Sequence, residues 1–316
     1  MAGGGESKKA IYAALFGNLV IAISKLFAAL FTGSTAMWAE IFHSFSDSFN
    51  QVLLLLGVKT SKKEANEKYP FGYGKEQFFW SFVVAILIFG VSGVLSLEHG
   101  ISYFLSGHDA HRVENTLINY VILAIAFAFE ANAIRIAFAI FRKTITDRGD
   151  KLTLPVLFSE LKENKDPVIM TVLVEDAAAL LGIIIAAVAL LLSDITGNSA
   201  YDAIGSLLIG IVLMGFALFL ARENRGMLIG EAMSKRDYKK VYDVVINISE
   251  VRKIISIRTM HLAAEDVLIA IEVSLIENLH TEAIESSIDN IENKIKEAIP
   301  YVNTSKIYIE LTQASK

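Results

Sequence analysis

The run Val168–Leu192 constrains this chain more than any other feature: Glu175 and Asp176 are its only charged residues. A helix needs about 20 mostly apolar residues to cross the hydrocarbon of a bilayer, and this run is long enough. Comparable runs cover Ala10–Phe31, Thr35–Val58, Phe78–Leu105, Leu117–Phe141 and Tyr201–Leu220. None shows period-two alternation, so they read as membrane helices and not as barrel strands. Hydrophobic residues make up 53% of the 316, which exceeds what an ordinary soluble protein carries. The expectation is a polytopic α-helical membrane protein with six transmembrane helices. Residues 1–9 form an N-terminal tail, 10–230 the six-span transport domain, and 231–316 a cytoplasmic domain. No cleavable leader is evident in Met1–Ser7, which is Gly-rich and polar.

The loops give the orientation. Lys59, Lys62, Lys63, Lys68 and Lys75 follow the second run. Arg142, Lys143, Arg148, Lys151, Lys162 and Lys165 lie between the fourth and fifth. The three loops on the opposite side carry only Arg112. Basic loops stay on the cytoplasmic side, so both termini belong there, or on the equivalent side of an organelle. In a prokaryote the host would be the cell membrane.

From about Arg222 the composition turns soluble. Asp237–Ile248 reads as a helix, and Lys253–Leu262 and Val267–Leu275 as strands joined by the hairpin Ala263–Asp266. Val267, Ile269, Ile271, Val273 and Leu275 alternate as a half-buried strand requires. His280–Ile299 carries an apolar helical stripe at Ile284, Ile288, Ile291, Ile295 and Ile299, and Ser305–Thr312 is a last strand. The order αββαβ is that of a small α+β domain. The net charge of −5 implies no nucleic-acid partner, and with no cysteine there is neither a disulfide framework nor a thiolate metal cluster.

The chemistry concentrates in Glu40–Gln51, inside the second run. Polar residues are costly in hydrocarbon, so ionisable ones there usually have a role. His43 and Asp47 are one turn apart on one helix face, and Asn50 extends that face. An imidazole and a carboxylate so placed can share a divalent cation. They can also form a buried His–Asp hydrogen bond between packed helices. Glu175 and Asp176, a second ionisable site within the membrane, favour metal. Asn18 and Lys25 share a face of the first run, where the lysine must snorkel or pair within the bundle. Glu130 can line an ion path or neutralise Lys25 or Arg135. Glu98-His99 points two ways on a helix and reads as reaching headgroups or outer solvent. His108, Asp109 and His111 read as a solvated loop, and the aromatic turn Tyr69–Lys75 suits the membrane interface.

These residues resemble the cation diffusion facilitator family of divalent-metal transporters. The resemblance covers nearly the whole chain. It rests on Gly17-Asn18 with Lys25, Gly33-Ser34-Thr35-Ala36, His43-x-x-x-Asp47, Tyr69-Pro70-Phe71-Gly72-Tyr73-Gly74-Lys75, and Asp202 with Gly205-Ser206. Lys165-Asp166-Pro167 and Val174–Ala179 bring it nearest the zinc transporter nine-like branch. The resemblance implies a homodimer with a ferredoxin-like cytoplasmic domain. It also implies metal efflux driven by protons, with one metal site between the second and fifth spans. The family's two pairs of ligands fall on His43, Asp47, Asp176 and, where this chain departs, Val172. Glu175 or Asn50, or water, would supply the missing donor. A site of one nitrogen and several oxygens suits zinc, and admits manganese, iron(II) or cobalt.

The expected function is divalent-cation efflux, most simply of Zn²⁺ in exchange for protons. The metal is substrate, with no prosthetic group, and the bilayer and a second copy are the partners. A non-transporting metal-binding scaffold or sensor is the alternative. No nucleophile, phosphate loop or substrate-pocket signature points to an enzyme. In the soluble domain His261 and His280 lack chelate spacing, so that domain is expected to dimerise, with His261 on a strand surface.

Overall fold

A computed structural model describes residues 19–105, 116–147, 153, 166–264 and 266–312. The 1–9 tail, Asn18, and the loop holding His108, Asp109, His111 and Arg112 lie outside them. The described chain divides into two compact units, one of residues up to 58 with 79–224, the other of 59–78 with 225–312.

The first unit is helical. Its helices are α1 (Leu19–Thr32), α2 (Thr35–Ser61), α3 (Glu76–Leu87), α4 (Val94–Leu105), α5 (Thr116–Asp147), α6 (Pro167–Thr196) and α7 (Ala200–Ile229). Among the described residues, four apolar stretches are long enough to cross a membrane: Glu76–Leu105, Leu117–Ala139, Pro167–Thr196 and Ala200–Ile229. α2 has the length but not the apolarity, because Glu40, His43, Ser44, Ser46, Asp47 and Asn50 lie on its buried face. That polar face is turned into the protein, as hydrocarbon demands.

Local chemistry sets where these helices begin. Asp166 caps α6, its carboxylate accepting from Val168 N (2.9 Å) and Ile169 N (3.1 Å), with Pro167 in the first turn. α2 is capped from another helix. Asp202, in the first turn of α7, accepts from Ser34 Oγ at 2.8 Å, Thr35 N at 2.6 Å and Thr35 Oγ1 at 2.9 Å. The free N–H groups at the start of α2 therefore find their carboxylate across the bundle. α3 and α4 are joined by a π-helical segment, Ile88–Gly93. There Ser92 Oγ donates to the Phe42 carbonyl of α2 at 3.1 Å, and Ser206 Oγ of α7 donates to the Ser96 carbonyl at 2.7 Å. A Cβ on Gly210 would lie 3.0 Å from the Gly93 carbonyl, so glycine permits that close approach of α7 to the π segment. Gly215 faces open space.

In the second unit β1 (Val251–Ala263) pairs antiparallel with β2 (Asp266–Leu275), and β2 pairs parallel with β3 (Ile307–Leu311), giving the order β1-β2-β3. α8 (Lys235–Ile246) and α9 (Thr281–Ala298) complete the αββαβ order. Val267, Ile269, Ile271 and Val273 of β2 are buried with Val241 and Val245 of α8 and Ile291 and Ile295 of α9. The turn Tyr69–Lys75 belongs to this unit. A Cβ on Gly74 would lie 2.5 Å from the Leu262 carbonyl, and Lys75 Nζ donates to the Leu228 carbonyl at 3.3 Å. His261, expected on a strand surface, is buried. Its backbone N–H bonds the Glu231 carbonyl, and its Nδ1 lies 3.2 Å from the Ala263 carbonyl.

Two outcomes follow. Asp202→Ala orphans buried donors at the start of α2 and should cost about 1–3 kcal/mol, read as a lower thermal midpoint in detergent, with Asp202→Asn losing less. In α8, burial raises the Asp237 pKa, but donation from Lys240 and Tyr301 and the Lys240 charge outweigh it, so the net shift is downward. A carboxylate with a lowered folded pKa stabilises above its unfolded value near 3.9 and loses that effect as pH falls through the folded value. Asp237→Asn should therefore lower the melting temperature at pH 7, and its difference from the parent should shrink below about pH 4.

Candidate metal site

α2 and α6 bring the expected residues to one seam. On α2, His43 Nδ1 stands 3.4 Å from Asp47 Oδ1, and neither imidazole nitrogen is in a hydrogen bond. Asp47 Oδ1 is also buried without a hydrogen-bond partner. One turn on, Asn50 Nδ2 donates to Glu175 Oε1 of α6 at 2.9 Å, joining the two helices. This leaves the Asn50 side-chain carbonyl unpartnered and fully buried. Asp176, beside Glu175, is partly buried, and its Oδ2 has no partner. Thr171 Oγ1, one turn before Glu175, is buried and unpartnered as well.

Buried polar atoms are nearly always hydrogen-bonded, so unpartnered ones gathered on two facing helices call for an account. They include one imidazole, two aspartate oxygens, an amide oxygen and hydroxyls, donor types that can hold a divalent cation. Among the described residues no three His, Asp or Glu side chains converge on one point in this conformation. His43 and Asp47 face each other, and Glu175 is engaged by Asn50. Val172, where the family pattern would place a fourth ligand, packs instead among Leu54, Val84, Ala85 and Leu220.

Several polar contacts escaped the sequence reading. Lys25 is fully buried and pairs with Glu40, its Nζ donating to Glu40 Oε2 at 2.8 Å and to Ser44 Oγ at 2.9 Å. Glu40 and Ser44 are four apart on α2, which was the available signal. Arg135 donates to Asn132 at 2.9 Å. His99, expected to reach headgroups or solvent, is half-buried. Its ring lies 5.5 Å from Trp38 and 5.3 Å from Phe42 of α2.

Residues 11–229 match the family model described as the cation efflux transmembrane domain. Among curated relatives, metal tolerance protein C4 of Arabidopsis thaliana is 31% identical over 247 residues, 78% of this chain and 52% of that protein. The human mitochondrial proton-coupled zinc antiporter SLC30A9 is 30% identical over 254 residues, 80% of this chain and 43% of that protein. The magnetosome protein MamM of Paramagnetospirillum magneticum is 31% identical over 106 residues, 34% of this chain and 33% of that protein. The chain thus spans about half the length of the first two relatives or less. With most of its length matched and its polar residues buried between apolar helices, the chain belongs to the cation efflux family of multi-pass membrane metal transporters.

Proposed function

We propose that this protein is a Zn²⁺/H⁺ antiporter whose cation is held by His43, Asp47 and Asp176, with Glu175 and Asn50 completing the shell. One observation carries the reading: unpartnered donor atoms of His43, Asp47, Asn50 and Asp176 are buried along the seam that the Asn50–Glu175 hydrogen bond closes. The name of the human relative, a proton-coupled zinc antiporter, supports the choice of ions. The molecule works as a homodimer with six spans, a ferredoxin-like cytoplasmic domain and both termini in the cytoplasm.

Ligands bind metal only when deprotonated, so an arriving cation displaces protons from His43 and the carboxylates. Rocking of the helices then exposes the seam to the opposite side. Protons from that side return to the same atoms and release the cation. Asn50 holds Glu175 through its amide N–H and presents its carbonyl oxygen, so the pair can offer oxygen donors in place of the absent ligand at Val172.

One further reading has an observation behind it. With Val172 committed to apolar packing, the donor set is a single imidazole and several oxygens. Harder divalent ions (Mn²⁺, Fe²⁺ or Co²⁺) accept such a set more readily than one with two imidazoles.

Uptake into proteoliposomes across an imposed pH gradient tests the assignment. Asp47→Asn and Asp176→Asn should each cut Zn²⁺ flux by more than about 100-fold, beyond the loss typical of an outer partner. Full flux in either variant would remove the site. Glu175→Gln should lower flux as strongly if Glu175 ligates, and only about tenfold if it acts through Asn50. In the parent, absence of gradient-dependent flux for both Zn²⁺ and Mn²⁺ would point instead to a metal-binding scaffold.

A further inference from the structure

α2 and α6 touch at two places that bracket the proposed site. At one, Asn50 bonds Glu175. At the other, a Cβ on Gly182 would stand 2.5 Å from Glu40 Oε1, so the missing side chain makes room for that carboxylate. The two helices run antiparallel between these contacts. Ten residues of α2 separate Glu40 from Asn50, about 15 Å of helix, and His43, Asp47 and Asp176 fall between. The polar seam therefore continues beyond His43 as far as Glu40.

Glu40 is not free there. Its Oε2 accepts from Lys25 Nζ of α1 at 2.8 Å, and Ser44 takes a second ammonium proton at 2.9 Å. Both members of the ion pair are 0% exposed. Glu40 Oε1 is buried without a hydrogen bond, so the carboxylate is only half satisfied. A buried pair is weak evidence for stability, because desolvation offsets its attraction. Its placement at the end of an ion seam calls for another account. The ammonium of Lys25 is a tethered cation sitting on the next carboxylate that a divalent ion leaving His43 and Asp47 would meet.

We propose that Lys25 and Glu40 form a latch on the side of the site nearer the Gly33–Ser34 turn, and that Glu40 is a transient carboxylate station for the departing divalent cation. The inference rests on the transport reading for its cargo, but not for its geometry. While Lys25 holds Glu40 the seam is closed at that end. When α1 and α2 part, the ammonium leaves and Glu40 Oε1 and Oε2 become available to the cation.

The chain has no cysteine, so Ser46→Cys, between His43 and Asn50, gives a single thiol reporter. The full-length protein in sealed vesicles is treated with a membrane-impermeant maleimide on the side of the Gly33–Ser34 turn. Adding Lys25→Gln with Glu40→Gln removes both charges and should speed labelling at least about tenfold, a shift of the closed population toward open. Gly182→Ala, which crowds Glu40 off its seat and keeps both charges, should speed it too. The double variant should also let Zn²⁺ run down its own gradient without a pH gradient. Unchanged labelling in a monodisperse double variant overturns the latch, as does unchanged labelling in Gly182→Ala should the double variant not fold. Labelling needs no metal. A protein that moves no cation yet labels faster would sink the transport reading and keep the latch.

Discussion

Hydrocarbon offers no hydrogen bonds, so each polar atom of α2 must be answered by another helix, and the first unit follows from how that is done. Asp202 of α7 satisfies the start of α2. Lys25 of α1 answers Glu40 and Ser44. Ser92 of the π segment bonds the Phe42 carbonyl, and Glu175 of α6 takes the Asn50 amide. Four neighbouring elements are thereby pinned to one helix. What they leave unanswered on α2 includes both nitrogens of His43, Asp47 Oδ1, the Asn50 carbonyl, Ser46 Oγ and Glu40 Oε1. The proposed cation would answer the His43, Asp47 and Asn50 atoms among them, and unsatisfied buried groups each cost about 1–3 kcal/mol.

Four of the expected spans were legible from run length and apolarity, and among the described residues the structure has helices long and apolar enough at those four. The strands of the second unit were legible for a similar reason: alternation at Val267–Leu275 fixes which face is buried. Periodicity also placed His43, Asp47 and Asn50 on one face. It could not say what that face meets. The Asp202 contact to Ser34 joins residues 168 apart in the chain, and no spacing rule reaches so far. Lys25 needed a partner, and the sequence offered several carboxylates. Only the packing of α1 on α2 selects Glu40 over Glu130. His261 was misplaced because strand alternation ignores what covers the strand end, here the Glu231 carbonyl. His99 was misplaced because Trp38 and Phe42 supply an aromatic surface that a charged-dipeptide reading overlooks.

The departure at Val172 has a physical consequence. An apolar side chain there joins the cluster of Leu54, Val84 and Leu220, which ties α6 to its neighbours on the Asn50 side of the seam. In the proposed site the donors would then be Asp47, Asp176, Glu175 and the Asn50 carbonyl, with His43 as the one nitrogen. Such a set would accept harder first-row divalent ions more readily than one with two imidazoles.

X-ray absorption at the zinc edge of the metal-loaded protein tests this account most directly. The parent should show a shell of oxygen and nitrogen donors with the scattering of a single imidazole, lost in His43→Ala. Two or more imidazoles per zinc, or an imidazole signal that survives His43→Ala, would place the cation elsewhere and contradict it.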